Sequence, residues 1–480
     1  MTLENDPNIA LDVARLRSSQ GSLLNARGDF DPLLVGEASQ TSTDIPLTES
    51  TSRERRVVAN TLGVTKRFRT GLSIEPTVEL LRTADDQPGA VNQGTVAFTL
   101  RQPLLRGRGR SVADAPELAA ERQVAASTLD LRQTTSERVL TVVSQYWQTR
   151  AAALNLDVLR ASETSARELL ETTRRLIEAD VTPAADLVQV EANLVSKETA
   201  RIGGERQLFQ ARQALGREIG LESGRIASLP LPVDPFPVVS PGEVPGPADG
   251  PRYVAAALAR RADLQAARER RNALEIELRA ADNALLPQVD LVLQPSYSGL
   301  VSGTGAGSFF SPLARNVPGL GSFFALSLSW PTLNNRARGV RLQIEAARTQ
   351  SSLLEDLIVR QIGADVPAAL DAVERQAQQL ERAAEAVRLF ERAVVNEEKK
   401  LQAGTSTLID VISQRDRLTA ARQAQVSASL ALALALAELR FETGTLIAGG
   451  ADGADGDEGA GAIEERRLTT VPSPDGEGTP

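Results

Sequence analysis

The 480-residue sequence contains no histidine and no cysteine. That removes imidazole bases, thiolate nucleophiles, Ser-His-Asp triads, zinc sites built on His or Cys, and any disulfide framework. What remains for chemistry is carboxylates, arginines, hydroxyls, three tyrosines and four lysines, Lys66, Lys197, Lys399 and Lys400. An enzyme built from this kit would need a carboxylate pair, as in a glycosidase, and no catalytic motif supports one. The chain therefore reads as a non-enzyme, with no cofactor and no metal. Its best-matched carboxylates are Asp186 and Asp410. The stretch Ala179-Asp180-Val181-Thr182 aligns with Ala403-Gly404-Thr405-Ser406; Thr182 and Ser406 read as N-caps, and each acid follows four residues later in a first helical turn. A carboxylate there interacts with the helix dipole for about 0.3 to 1 kcal/mol. The two acids either do only this or also act at a distance, through their charge.

These acids need long helices to carry them. Apolar residues make up 42% of the chain but aromatics only 3%, and the apolar content is Ala, Leu and Val interleaved with Arg, Glu and Gln, the composition of long helices. A near-continuous helix is expected from Ser111 to about Ala179, opened by Asp114 and Pro116. A second is expected from Ala337 to about Leu401, with Leu380, Val387, Val394 and Leu401 seven residues apart. Each would extend roughly 100 Å. Pro367 lies inside the second and should kink it. Shorter helices are expected over about Pro183–Ile219, Tyr253–Leu286 and Ser406–Glu442, the last ending near Gly444. No stretch resembles a spanning helix of about 20 uninterrupted apolar residues, and no basic, apolar targeting signal opens the chain. The net charge of −9 excludes a basic nucleic-acid binder.

Two matched hairpins complete the pattern. In the first, Leu72, Ile74, Val78 and Leu80 alternate with polar residues, and after a loop so do Val96, Phe98 and Leu100. In the second, Val289, Leu291, Leu293 and Tyr297 are followed by Phe324, Leu326, Leu328 and Trp330. Pro76 corresponds to Pro295, and Leu100-Arg101-Gln102-Pro103-Leu104 to Leu328-Ser329-Trp330-Pro331-Thr332. The strands are about 9 to 11 residues long, the span of a tilted transmembrane strand. Because a sheet in lipid must close and four strands cannot close alone, copies of the chain would have to share one barrel. Trp330 suits an interfacial girdle. Arg106, Arg108 and Arg110, alternating with Gly107 and Gly109, lack phosphate-loop spacing and read as a strand-to-helix joint reaching lipid headgroups. Glu75, Glu79, Arg101 and Asp290, on the polar side of their strands, read as wet-lumen residues.

Gln102-Pro103-Leu104-Leu105-Arg106-Gly107-Arg108-Gly109, Trp330-Pro331-Thr332-Leu333-Asn334-Asn335 and Ala403-Gly404-Thr405-Ser406 through Asp410, in this order and duplicated, resemble the TolC-like outer-membrane efflux protein family over about Thr2–Ile447. The resemblance implies a mainly α fold with a small β part: duplicated long-helix hairpins forming a periplasmic α-barrel, and four strands per chain in a shared trimeric twelve-stranded transmembrane β-barrel. It implies a homotrimer in the outer membrane, its duct coupled through a periplasmic adaptor (membrane fusion protein) to an inner-membrane pump or secretion transporter. The adaptor contacts map onto the tips Ala179, Asp180, Val181, Thr182 and Ala403, Gly404, Thr405, Ser406, and the aperture acids onto Asp186 and Asp410. Three copies would ring the narrowing lumen with about six negative charges, favouring cations. Ser413, Ser406 and Leu401 stand where some members carry a second acid and the Arg and Tyr of a closed-state lock.

The expected divisions are 1–56, a partial N-terminal helix and lead-in; 57–103, the first β-hairpin; 104–221, the first helical hairpin; and 222–251, a Pro-rich equatorial strap. Then follow 252–286, a helix; 287–333, the second β-hairpin; 334–447, the second helical hairpin; and 448–480, a disordered acidic tail. The competing reading is a soluble coiled-coil scaffold or adaptor, which accounts for the helices but not for the paired alternating hairpins.

Overall fold

A computed structural model describes residues 6–48, 51–85, 89–178, 183–226, 228–239, 246–314 and 319–447. Helix α1 (Pro7–Gly28) leads into strands β1 (Leu33–Thr48), β2 (Thr51–Arg67), β3 (Ser73–Asp85) and β4 (Ala90–Pro103). The long helix α2 (Ala115–Glu178) and its partner α3 (Asp186–Glu218) follow, then α4 (Gly250–Arg260) and α5 (Ala262–Asn283). Strand β5 (Gln288–Ser302), the short α6 (Ala306–Phe310) and β6 (Leu320–Ser329) precede the second long helix α7 (Asn335–Gln402) and α8 (Leu408–Glu442). The chain is thus mainly α with a small antiparallel sheet, as expected, and both long helices fall within a few residues of their predicted ends. α7 continues through Pro367. The helix expected over Tyr253–Leu286 is two helices, because Arg261 adopts an extended backbone (ψ 124°) between them. The tail 448–480 lies outside the described residues.

The strand count differs from the expectation of four. Among the described residues six strands form one sheet in the order β1-β2-β3-β4-β5-β6, every neighbour antiparallel. β1 and the first residues of β2, up to Arg56, lie in the segment read as a lead-in. Their polar runs, Ser39 to Asp44 and Ser52 to Arg56, mask the alternation that marked the other strands.

The chain folds into two compact units. One comprises residues 15–128 and 266–355 and holds the sheet with the helix ends that feed it. There the turn between β2 and β3 is bolted to the start of α2. Arg69 donates to the Glu117 carboxylate through Nε (2.6 Å) and Nη2 (2.8 Å), Arg27 donates to it from α1 (3.2 Å), and the Arg69 guanidinium lies 4.9 Å over the Phe30 ring. Gly71 (φ +90°) allows the turn to close: a Cβ there would lie 2.4 Å from the Gly107 carbonyl oxygen. At the sheet's other end, the segment around α6 folds back over Gly94 and Gly299, and a Cβ on Gly299 would lie 2.1 Å from the Pro312 carbonyl.

The second unit comprises the described residues within 6–14, 129–265 and 356–447. Its main core is Ala257, Leu264, Ile362, Val366, Leu370, Val373, Leu432 and Leu439, contributed by α4, α5, α7 and α8. By length and composition α8 is apolar enough to cross a membrane, contrary to the sequence reading that no helix is. Its Leu/Ala run serves this core, with Leu432, Ala433, Ala437 and Leu439 buried. The Pro-rich segment lies against α2: Arg150 donates to the carbonyls of Asp234 (3.1 Å) and Pro232 (3.2 Å), Tyr146 donates to the Asp234 carboxylate, and Trp147 stacks on Phe236 with centroids 5.3 Å apart.

Candidate functional site at the helix tips

The tip between α7 and α8 is built entirely from local signals. α7 ends in a Schellman turn in which Gly404 (φ +71°) is the left-handed residue, with Thr405 N–H donating to the Lys400 carbonyl (2.9 Å) and Gly404 N–H to that of Leu401 (3.0 Å). α8 then starts from a capping box. The N-cap is Thr407, one residue beyond the expected Ser406; its hydroxyl oxygen accepts from the Asp410 N–H while the Asp410 carboxylate accepts from the Thr407 N–H (3.2 Å) and hydroxyl (2.6 Å). These bonds from the Thr407 side chain and backbone hold the Asp410 carboxyl below the usual carboxylate range. Ser406 donates to Asp410 at 3.5 Å and more closely to Glu397, whose carboxyl that hydroxyl and Lys400 likewise lower.

The other tip is less completely described, because Ala179, Asp180, Val181 and Thr182 lie outside the described residues. Beyond them α3 starts at Asp186 itself, with Ala185 as an N-cap that supplies no side-chain bond. Asp186 therefore stands in the first turn as predicted, but the two tips are not capped alike.

The tips converge on one open groove of about 690 Å³. Leu169, Thr172, Leu176, Pro183 and Asp186 line one side; Leu401, Gly404, Ser406, Thr407 and Val411 line the other. Under it Leu169, Leu170, Val190 and Leu408 form a buried cluster. Asp186 is in the groove wall, whereas Asp410 is adjacent to it, folded back on Thr407. Arg415, which the sequence reading missed, ties the helices beneath: it donates to Glu398 on α7 (Nε, 3.0 Å) and to the Ser165 carbonyl on α2 (2.8 Å). Lys197 on α3 pairs with Asp416 at 2.5 Å. The signal available in sequence was an arginine and an acid side by side on a helix, too common to single out.

Asp410→Ala should remove the capping box. Amide exchange at 408–411 is then expected to quicken about fivefold, with Asp410→Asn intermediate and Asp186→Ala nearly silent. Equal effects of the two alanine variants would refute the asymmetry.

Residues 254–445 match the family described as "Outer membrane efflux protein". No curated protein matches the sequence. Among solved structures, the chain is similar to the outer membrane protein VceC of Vibrio cholerae, with 17% identity, a TM-score of 0.65, and coverage of 92% of this chain and 94% of that one. It is similar to the CmeC outer membrane channel of Campylobacter jejuni, with 13% identity, a TM-score of 0.66, and coverage of 97% and 88%. It is also similar to the MtrE outer membrane channel of Neisseria gonorrhoeae in its open state, with 19% identity, a TM-score of 0.61, and coverage of 93% and 88%. The resemblance stated from the motifs is thereby borne out: the chain has the fold of the outer-membrane efflux channels, and over residues 254–445 it carries the sequence pattern of the outer membrane efflux protein family.

Proposed function

We propose that the chain is an outer-membrane export duct, the passive channel component of a tripartite efflux or type I secretion system. The observation that carries this reading is the two-faced sheet. One cross-strand row reads Gly36, Leu62, Val78, Val96, Tyr297, Leu320; the adjacent row, on the opposite face, reads Glu37, Thr61, Glu79, Thr95, Ser298. Leu62 and Leu320 are 54% and 90% exposed, and Trp330 at the end of β6 is 64% exposed. A soluble sheet would cover such a face; a barrel wall turns it to lipid and the polar face to a wet lumen. A soluble coiled-coil scaffold leaves it unexplained.

In this reading three copies assemble in the outer membrane with their helices in the periplasm. The tips around Ala179–Thr182 and Ala403–Ser406 meet a periplasmic adaptor, and through it an inner-membrane pump or secretion transporter. Asp186 and Asp410 give the narrowing lumen its negative ring. No residue performs catalysis; what the duct exports is chosen by the transporter.

The test is the oligomeric mass and bilayer conductance of the detergent-purified chain, expressed behind an export signal. A trimer with small cation-selective currents is expected. Asp186→Asn combined with Asp410→Asn should weaken the selectivity, while the amide oxygen introduced by the second change still accepts a bond for the cap. A detergent-independent soluble species without conductance would overturn the reading.

A further inference from the structure

We infer that the outer end of this duct is an eighteen-stranded barrel, about half as wide again as the twelve-stranded barrel that four strands per chain would make, closed by β6 of each copy pairing with β1 of the next. The inference rests on the proposed trimeric duct and goes beyond it in the number of strands and the bore.

The additional hairpin belongs to the wall. Each strand from β1 to β6 pairs with the next, and the apolar row through Leu62, Val78, Val96, Tyr297 and Leu320 crosses the sheet without a change of face, as does the polar row through Glu37, Thr61, Glu79 and Thr95. Strands folded away from a membrane wall would not keep the register and the face of the strands within it. The turn between β2 and β3 is also part of the joint where strands pass into helices. Gly109 N–H donates to the Thr70 carbonyl (3.1 Å), and Arg69 reaches Glu117 at the head of α2. The hairpin therefore spans the same height as its neighbours.

The edges are suited to a second copy of the chain. β1 and β6 are the outer strands of the sheet, and with six alternating strands they run in opposite directions. β6 of one copy thus meets β1 of the next as an antiparallel pair. Six strands are fewer than the roughly eight of the smallest closed barrels, so one copy cannot satisfy both edges itself. Three copies of a six-stranded sheet make eighteen strands. At a spacing of about 4.8 Å and a tilt of about 40°, the backbone diameter is about 36 Å, against about 24 Å for twelve strands. A barrel of that size holds an aqueous channel that side chains do not fill. The outer mouth then admits wider cargo than a twelve-stranded barrel would.

The experiment is single-particle imaging, viewed end-on, of the full chain in lipid nanodiscs, with its native mass measured on the same sample. A trimer whose barrel has eighteen strands and a diameter of about 36 Å is expected. Deleting residues 51–85, which joins the end of β1 to the start of β4, should shrink the ring to twelve strands and about 24 Å with the mass still that of a trimer. A full-length trimer with a twelve-stranded barrel would overturn this inference and leave the export duct standing. A species that needs no membrane and does not oligomerise would overturn the duct itself.

Discussion

Arg261→Ala is expected to lower unfolding stability by about 3 kcal/mol, more than any change at the tips. Arg261 sits in the extended link between α4 and α5, its side chain only 11% exposed, and donates to the Glu442 carboxylate, which is 10% exposed at the end of α8. It also holds Asp263 by two bonds, from Nε (3.1 Å) and Nη2 (2.7 Å). The pair closes off the core that contains Leu264 and Leu439. Removing the guanidinium leaves a buried carboxylate without its cation, and that residual charge, more than the lost bond, accounts for the size of the effect. Burial pushes the Glu442 carboxyl above its ordinary value; Arg261 pulls it back, and the nearby Asp365 carboxylate raises it further. A carboxyl raised in the folded state favours the folded protein when protonated, so its penalty applies above the folded pKa and is relieved as pH falls through it. The deficit of Arg261→Ala should therefore shrink on mild acidification, and Arg261→Ala with Glu442→Gln should regain more than half of it at neutral pH. Thermal or denaturant unfolding in detergent measures both. A deficit that does not change with pH would mean that the pair is solvated.

The second large effect is expected at the strand-to-helix joint. Glu117, with a side chain 8% exposed, accepts bonds from Arg69 and Arg27, which are themselves about half exposed. Glu117→Gln keeps the shape but loses the charge-assisted bonds. After allowance for the hydration of the two arginines, the cost is about 2 kcal/mol. The loss should be local: exchange protection of the β2–β3 turn, residues 68–72, is expected to fall about thirtyfold, with the helix cores little changed. Chiefly through its bonds to Arg69, the Glu117 carboxyl is held below the ordinary range. For a lowered carboxyl the stabilisation is present above the unfolded pKa, near 4.5, and is lost as pH falls through the lower folded value. The wild-type turn should therefore lose protection only in acid below that range, while Glu117→Gln is already weakened at neutral pH and flat across the titration. A Gln variant with normal turn protection would show that Phe30 stacking and the Gly71 contact hold the turn without the carboxylate.

The helices were legible because their signals are local. The seven-residue repeats of α7 and the absence of glycine from α2 need no knowledge of the rest of the fold, and Gly404 and Gly444 both end helices in left-handed turns. The position of Asp410 in a first helical turn was equally readable, although the cap was expected at Ser406 and is Thr407. The hairpins β3–β4 and β5–β6 declared themselves by alternation and by their duplication.

What could not be read depends on partners distant in sequence. β1 and β2 carry long polar runs, and only the ladder from Leu62 to Val78 fixes which of their residues join the apolar face. The break at Arg261 is held by Glu442, 181 residues away, and the joint at Glu117 by Arg69 and Arg27, 48 and 90 residues away. The groove between the tips requires Leu169, Val190 and Leu408, from three helices, to pack together. The long helices, their turns and the duplicated plan follow from the order of residues alone, because backbone propensity and periodicity act over a few residues. The number of strands, the ion pairs that lock the joints and the asymmetry of the two tips emerge from the folded chain, because each arises from groups that folding alone brings together.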